Sequence, residues 1–145
     1  MKIRIFWVGK TKERYLIEGI NRYLSLLKHM AQVSIIEIKD EKGKTRDEAL
    51  SQEGRKVLKQ TGSYVLLDEM GKEFSSTGFA GFLEDKGSVD FVMGGPYGVS
   101  EEVREKAVGA IALSKMTLTH EMARLVFLEQ LYRAMTIIKG KEYHH

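Results

Sequence analysis

The sequence predicts an α/β fold: a mostly parallel sheet with helices on both faces. Two observations carry that expectation. Short β-rich runs alternate with stretches of helical periodicity five times along the chain. The third run, Tyr64–Leu67, is apolar throughout, as a strand buried on both faces must be. No Pro- or Gly-rich linker, internal repeat or low-complexity tract interrupts the alternation, so residues 1–145 are expected to form one domain.

The elements follow in order. Lys2 to Val8 alternates polar and apolar residues and closes at Gly9, which reads as a strand. Leu16, Ile17, Ile20, Tyr23, Leu24 and Leu27 recur at helical spacing, and Gln32 to Ile38 is a second β-branched run. The charged segment from Lys39 to Arg46 reads as a solvated loop before a helix over Arg46–Lys59, whose register Gly54 weakens. After the third strand, Ser76 is the expected cap of a helix with Phe79, Phe82 and Leu83 inward. Val89 to Met93 is the fourth strand. Ser100 caps the next helix, with Glu101 and Glu102 in its first turn. Ile111 to Ser114 is a brief fifth strand, and the longest helix runs from Thr119 to about Ile138.

Composition removes several function classes. There is no cysteine, hence no disulfide framework, thiol nucleophile or thiolate metal site, which fits a reducing compartment. The four histidines have no spacing with acids that resembles a metal cage, so no metal is expected. No apolar run reaches the roughly 20 residues that span a bilayer. The charged start, Met1-Lys2-Ile3-Arg4-Ile5, is unlike a secretory signal, and a cytoplasmic location is expected. The net charge of +3 allows an anionic partner without identifying one.

Ligands of open α/β sheets bind outside the carboxyl ends of the strands, and three segments leave strands there. The first is Leu67-Asp68-Glu69-Met70-Gly71-Lys72. Its two acids suit either a carboxylate pair or, more simply, a solvated turn. The second is Gly94-Gly95-Pro96-Tyr97-Gly98, either a tight turn or a place where backbone approaches a ligand. It is not a dinucleotide fingerprint, because Pro96 and Val99 stand where glycines belong. The third is Leu113 to His120. In it Met116 suits a pocket or the core, Lys115 an anion contact or a snorkelling surface position, and His120 a structural hydrogen bond.

The last helix is unusually apolar: twelve of the 17 residues from Met122 to Ile138. That exceeds the stripe one buried face needs, and the second face meets either another subunit or more of the same chain. The tail after it, Lys139 to His145, mixes basic and aromatic groups able to contact phosphate and stack on a base, or else simply frays.

Six segments in order, spread over the whole chain, resemble the RlmH-type SPOUT methyltransferases, which modify pseudouridine in large-subunit ribosomal RNA. They are Ile5–Lys10, Leu67–Lys72, Phe91–Gly98, Leu113–His120, Leu128–Ala134 and Tyr143–His145. The resemblance implies a SPOUT-type fold with a C-terminal trefoil knot, which topology rules disfavour and periodicity cannot reveal. It implies a homodimer, agreeing with the apolar last helix. It also implies S-adenosyl-L-methionine as cofactor, contacted by Leu67, Gly94, Gly95, Leu113, Ser114, Lys115, Met116, Thr117 and Leu118. One residue departs from the family pattern: Thr119 stands where proline usually precedes the motif histidine.

The implied reaction is methyl transfer to the ring N3 of a pseudouridine in 23S ribosomal RNA, with the assembled ribosome as expected substrate. Tyr143, His144 and Arg133 are the candidate catalytic residues, for stacking, hydrogen bonding or proton transfer, and phosphate contact respectively. A dimer would allow one subunit's tail to lie over the other's cofactor. Two other readings make different predictions. A noncatalytic RNA- or ribosome-binding factor would keep the fold without binding the cofactor, and a nucleotide-phosphate enzyme would bind ATP or NAD at Gly94–Gly98.

Overall fold

The computed structural model describes residues 1–145. Five strands, β1 (Lys2–Val8), β2 (Gln32–Ile38), β3 (Val65–Glu73), β4 (Ser88–Met93) and β5 (Gly109–Ala112), alternate with five helices. The helices are α1 (Arg14–Leu27), α2 (Arg46–Gln60), α3 (Ser76–Glu84), α4 (Glu101–Lys106) and α5 (His120–Ile138). The strands form one sheet in the order β2-β1-β4-β3-β5, every pairing parallel.

Strand alternation sorts the core into two layers. Ile3, Ile5 and Trp7 of β1, with Phe91 and Met93 of β4, pack against α1, α3 and α5. Phe6, Val8, Leu66 and Val92 point the other way, against Val57 of α2 and Val103 of α4. The two steps toward the β2 edge, β1 to β2 and β3 to β4, therefore run through one face, and the two steps back run through the other. A constant crossover hand requires that arrangement. Connections part at the carboxyl ends of β1 and β4: one chain leaves toward β2 and the other toward β5.

Three local expectations change. Ser75, not Ser76, caps α3, accepting from the Gly78 N–H at 3.0 Å; Ser76 is already helical and donates to Gln130 Oε1 at 2.8 Å. The fifth strand begins and ends two residues earlier than its apolar run suggests, because Gly109 and Ala110 pair with Val65 and Leu66. Asp68 to Lys72 is not a terminal loop. Leu67 and Lys72 both lie opposite Ile111, so Asp68–Gly71 is an excursion within β3, after which the strand resumes pairing. Gly71 permits the return: a Cβ there would lie 2.6 Å from the carbonyl carbon of Ala110.

The apolar surplus of α5 is largely absorbed within the chain. Phe127, Leu128, Leu131, Ala134 and Met135 enter the core, and α1 and α3 flank the helix, so its remaining large apolar residues are half-buried rather than exposed.

Candidate active site

A cleft of about 410 Å³ opens at the carboxyl ends of β3, β4 and β5. Leu67 and the Gly94–Gly98 loop form one wall, and Leu113, Ser114, Met116, Thr117 and Leu118 form the other. The fold thus gathers eight of the nine residues expected to contact a cofactor. Lys115 is outside: its side chain is 87% exposed and turns toward Glu73, 3.7 Å away.

The glycine loop is a closed turn. Gly98 N–H donates to the Gly95 carbonyl at 3.0 Å, with Pro96 and Tyr97 between them and Gly98 at φ +80. Gly94 packs so tightly against the end of this turn that a Cβ would sit 2.4 Å from the Gly98 carbonyl oxygen. The turn and the ligand-facing wall are the same object, so the two readings of these glycines do not compete.

The charges around the cleft are spent on its own walls. Asp68 pairs with Arg104 of α4, and its Oδ1 also accepts from the Met70 N–H. Thr117 Oγ1 donates to Glu69 Oε2 at 2.8 Å, tying the excursion of β3 to the segment after β5. Asp68 and Glu69 are therefore bracing groups rather than a free carboxylate pair, on a segment that is solvent-exposed at Glu69 and Met70 as a solvated turn would be. The Arg46 guanidinium lies over the Tyr97 ring, 4.7 Å from its centroid.

At the start of α5, Thr119 has φ −60, the value a proline ring imposes, and its hydroxyl accepts from the Met122 N–H at 3.2 Å. The substitution thus keeps the backbone angle and adds a cap. His120 lines the cleft; burial and then the nearby Arg124 charge lower its imidazole below the usual range, leaving it neutral near pH 7. Arg124 is fully buried, stacks on Trp7 at 4.8 Å, and donates to the Val8 carbonyl at 2.6 Å and Thr11 Oγ1 at 2.8 Å. Glu121 Oε1 accepts from the Lys12 and Glu13 N–H groups, at 2.7 and 3.0 Å, supplying the cap that α1 lacks.

The three expected catalytic residues form a separate cluster at the other end of α5. Arg133 donates to Glu129 Oε1 at 2.7 Å, lies 3.3 Å from His144 Nδ1, and sits over the Tyr143 ring at 4.8 Å. Tyr143 packs edge-on against Tyr132, and its hydroxyl lies 3.3 Å from Glu129 Oε1. The neighbouring Tyr23 hydroxyl, then burial, then Glu129 push the Tyr143 phenol up to about 12, so it stays protonated and serves as a donor. None of the three lines the cleft. Thirteen residues of α5 separate His120 from Arg133, roughly 20 Å of helix axis.

This fold has a solved counterpart. A crystal structure of a Bacillus anthracis protein described as an RNA methyltransferase superposes with a TM-score of 0.55, covering 99% of both chains at 13% identity, which speaks to fold alone. The family described as "Predicted SPOUT methyltransferase" matches residues 1–144. The chain belongs to the SPOUT methyltransferase family. Within it, the chain is 44% identical to the ribosomal RNA large subunit methyltransferase H of Thermodesulfovibrio yellowstonii, covering 99% of each. Proteins of the same name from Parabacteroides distasonis (46%, covering 100% of this chain and 99% of that one) and Cytophaga hutchinsonii (44%, covering 100% of each) are comparably similar.

SPOUT methyltransferases imply an S-adenosylmethionine-type methyl donor, and the cleft has features that suit one. The main-chain N–H and C=O groups of Leu113–Leu118 make no main-chain hydrogen bond; the Met116 N–H donates to Ser114 Oγ at 2.9 Å, and the others remain as donors and acceptors along one wall of the cleft. Leu67, Leu113, Met116 and Leu118 add apolar surface for a flat ring. No three His, Cys, Asp or Glu side chains lie together as a metal site would require, and no helix is long and apolar enough to cross a membrane. In this SPOUT site, sequence reasoning missed Arg124, Glu121 and the Asp68–Arg104 pair. Only the presence of an arginine amid the apolar residues of the last helix could have signalled the first.

Proposed function

We propose that this chain is an S-adenosyl-L-methionine-dependent methyltransferase acting on the ring N3 of a pseudouridine in 23S ribosomal RNA. It works in the cytoplasm as a homodimer, with the assembled ribosome as substrate. The main support is the Leu113–Leu118 run, whose main chain makes no main-chain hydrogen bond, facing the Gly94–Gly98 turn across the cleft. Leu67, Gly94, Gly95 and the Leu113–Leu118 segment would hold the donor, Lys115 through its main chain only. The bound donor supplies an electrophilic methyl group carried on a sulfonium.

The chain's residues do the rest. Leu67, Leu113 and Leu118 give the cleft an apolar patch, which favours a transfer that consumes positive charge once substrate covers it. The protonated Tyr143 hydroxyl, the Arg133 guanidinium and the His144 imidazole present donors and a stacking surface to the base. The N3 proton would pass to water or an imidazole as the new N–C bond forms and the donor's methyl–sulfur bond breaks. About 20 Å of α5 separates the tail cluster from the cleft of the same chain, so the reading assigns the tail to the partner's cleft. Tyr97 and Met116 line the cleft, are 63% and 80% accessible, and suit such a contact. The C-terminal knot belongs to the same reading; it is supported by the return of the chain after β5 to pack opposite the Gly94–Gly98 loop.

Calorimetry with S-adenosylmethionine, followed by methyl transfer to ribosomes lacking the modification, tests the proposal. Micromolar binding and stoichiometric methylation are expected. No binding at millimolar cofactor would overturn it.

A further inference from the structure

A groove away from the proposed cofactor cleft carries an excess of cations. At the opposite ends of the strands, where β1, β3, β4 and β5 begin, lies a groove of about 1140 Å³. Its lining carries four cations, Lys2, Arg4, Lys72 and Lys86, against one carboxylate, Asp90. That carboxylate is already engaged by Arg4 and by the Thr61 hydroxyl at 2.7 Å. Lys2, Lys72 and Lys86 have no carboxylate within ion-pair distance. The cofactor cleft, by contrast, sets Arg46 and Arg104 against Asp68 and Glu69. A neighbouring cleft beside β1 and β2 sets four lysines against four carboxylates. Of these three clefts, only this groove has an excess of positive charge in its lining.

Two of its lysines are held in place. Lys72 lies over the Phe74 ring at 5.0 Å and Lys86 over the Phe82 ring at 4.3 Å, with the two rings 5.6 Å apart. Each ammonium is held by a ring face and has no carboxylate partner within ion-pair distance. Adjacent aromatic and cationic groups along one concavity suit an RNA strand: phosphates meet the ammonium groups and an unpaired base can rest on Phe74.

We infer that this groove binds the RNA sugar–phosphate backbone, a second contact about 17 Å of β4 away from the methyl-transfer cleft. The inference rests on the RNA substrate proposed above. The groove anchors a neighbouring stretch of the same RNA while the cleft works on the base. Its contribution is to substrate affinity and not to the chemical step.

The test compares the parent with the triple variant Lys2→Gln, Lys72→Gln, Lys86→Gln and with its Lys→Arg counterpart. The probes are a fluorescent 20-nucleotide single-stranded RNA and ribosomes lacking the modification. The Gln variant should bind RNA at least ten-fold more weakly at 100 mM KCl. The slope of log affinity against log salt should fall by about two, roughly 0.7 for each phosphate of a single strand that is no longer neutralised. KM for ribosomes should rise with kcat within two-fold, S-adenosylmethionine affinity should be unchanged, and the Arg variant should behave like the parent. Unchanged RNA affinity and salt slope in the Gln variant, while the parent binds, would overturn the inference. So would a change in oligomer mass at constant RNA affinity, which would assign the groove to a second copy of the chain. A parent that binds cofactor but neither binds nor methylates RNA would instead remove the reading on which the inference rests.

Discussion

Gly94 and Gly95 are adjacent, line the same cleft, and should respond oppositely to alanine. At Gly94 the new methyl would lie 2.4 Å from the Gly98 carbonyl oxygen and 2.5 Å from its carbon. Both atoms are main chain, so relief requires the whole Gly95–Gly98 turn to move by about 1 Å, and overpacking of this kind costs about 1–3 kcal/mol. For a chain of this size that is a melting point lower by roughly 3–10 °C. At Gly95 the nearest atoms are the Val8 carbonyl oxygen at 3.6 Å and the Val8 side chain at 3.7 Å, ordinary contacts. With no left-handed φ to strain, Gly95→Ala should be neutral or stabilise slightly through the unfolded chain. A displacement of about 1 Å in a ligand wall can cost on the order of 100-fold in rate. Gly94→Ala should therefore lose at least ten-fold in S-adenosylmethionine affinity, while Gly95→Ala loses at most a few-fold. Differential scanning calorimetry and isothermal titration on the pair measure both effects. If the two variants melt within 1–2 °C of each other and bind cofactor equally, the turn is not the rigid wall that these distances describe.

Removing Tyr143–His145 should leave S-adenosylmethionine affinity within a few-fold of the parent and sharply reduce methyl transfer to ribosomes, since the tail lines no part of the cofactor cleft; radiolabelled methyl incorporation reads the second quantity. Light scattering at micromolar concentration should give roughly twice the 16.5 kDa chain mass. Burial alone would raise the Asp90 carboxyl, but hydrogen bonds from Arg4 and Thr61 and the Arg4 charge hold it below the usual range. The stability it confers is therefore complete above about pH 4 and drains as pH falls through the lowered folded value. Asp90→Asn should lower the urea midpoint at pH 7 and flatten its decline on the acid side. An acid limb identical to the parent's would assign that decline to other groups. Thr119→Pro should preserve cofactor affinity, because the backbone already holds φ −60 there, at the expense of the cap to Met122.

Strands β1, β2 and β4 were legible almost to the residue because their apolar and β-branched runs are bounded by Gly9, by Lys39 and by the glycine loop. β3 was not, because Asp68-Glu69-Met70-Gly71 reads as a polar turn. Its return to the sheet depends on Gly71 fitting against Ala110, a contact between segments about forty residues apart. Gly54 misled in the same way. It weakens α2 by propensity, yet a Cβ there would lie 2.6 Å from Ser100 Oγ, so it lets α2 approach the start of α4. Periodicity reports which face of an element is apolar. It cannot report how near another backbone comes, and glycines are where that information is hidden.

The site divides along the same line. The cleft proposed to hold the cofactor could be anticipated from the order of elements, since loops leaving parallel strands at their carboxyl ends converge where the connections part. What periodicity could not supply is the relation between that cleft and the tail. The twelve apolar residues of the last helix suggested a subunit interface, but α1 and α3 flank most of that surface within the chain. The stronger support for a shared site is distance: His120 marks the cleft, Arg133 holds Tyr143 and His144, and one straight helix keeps the two apart by roughly 20 Å. A helix of that length cannot fold back on itself, so a tail that acts on substrate in this cleft has to come from a second copy. This makes a mixing experiment decisive. A variant truncated before Tyr143 and a variant disabled by Gly94→Val should each be inactive. Heterodimers formed from the two should regain one working site, and so up to about half the activity of the parent dimer per heterodimer. If mixed dimers form but recover nothing, the tail does not complete the opposite cleft.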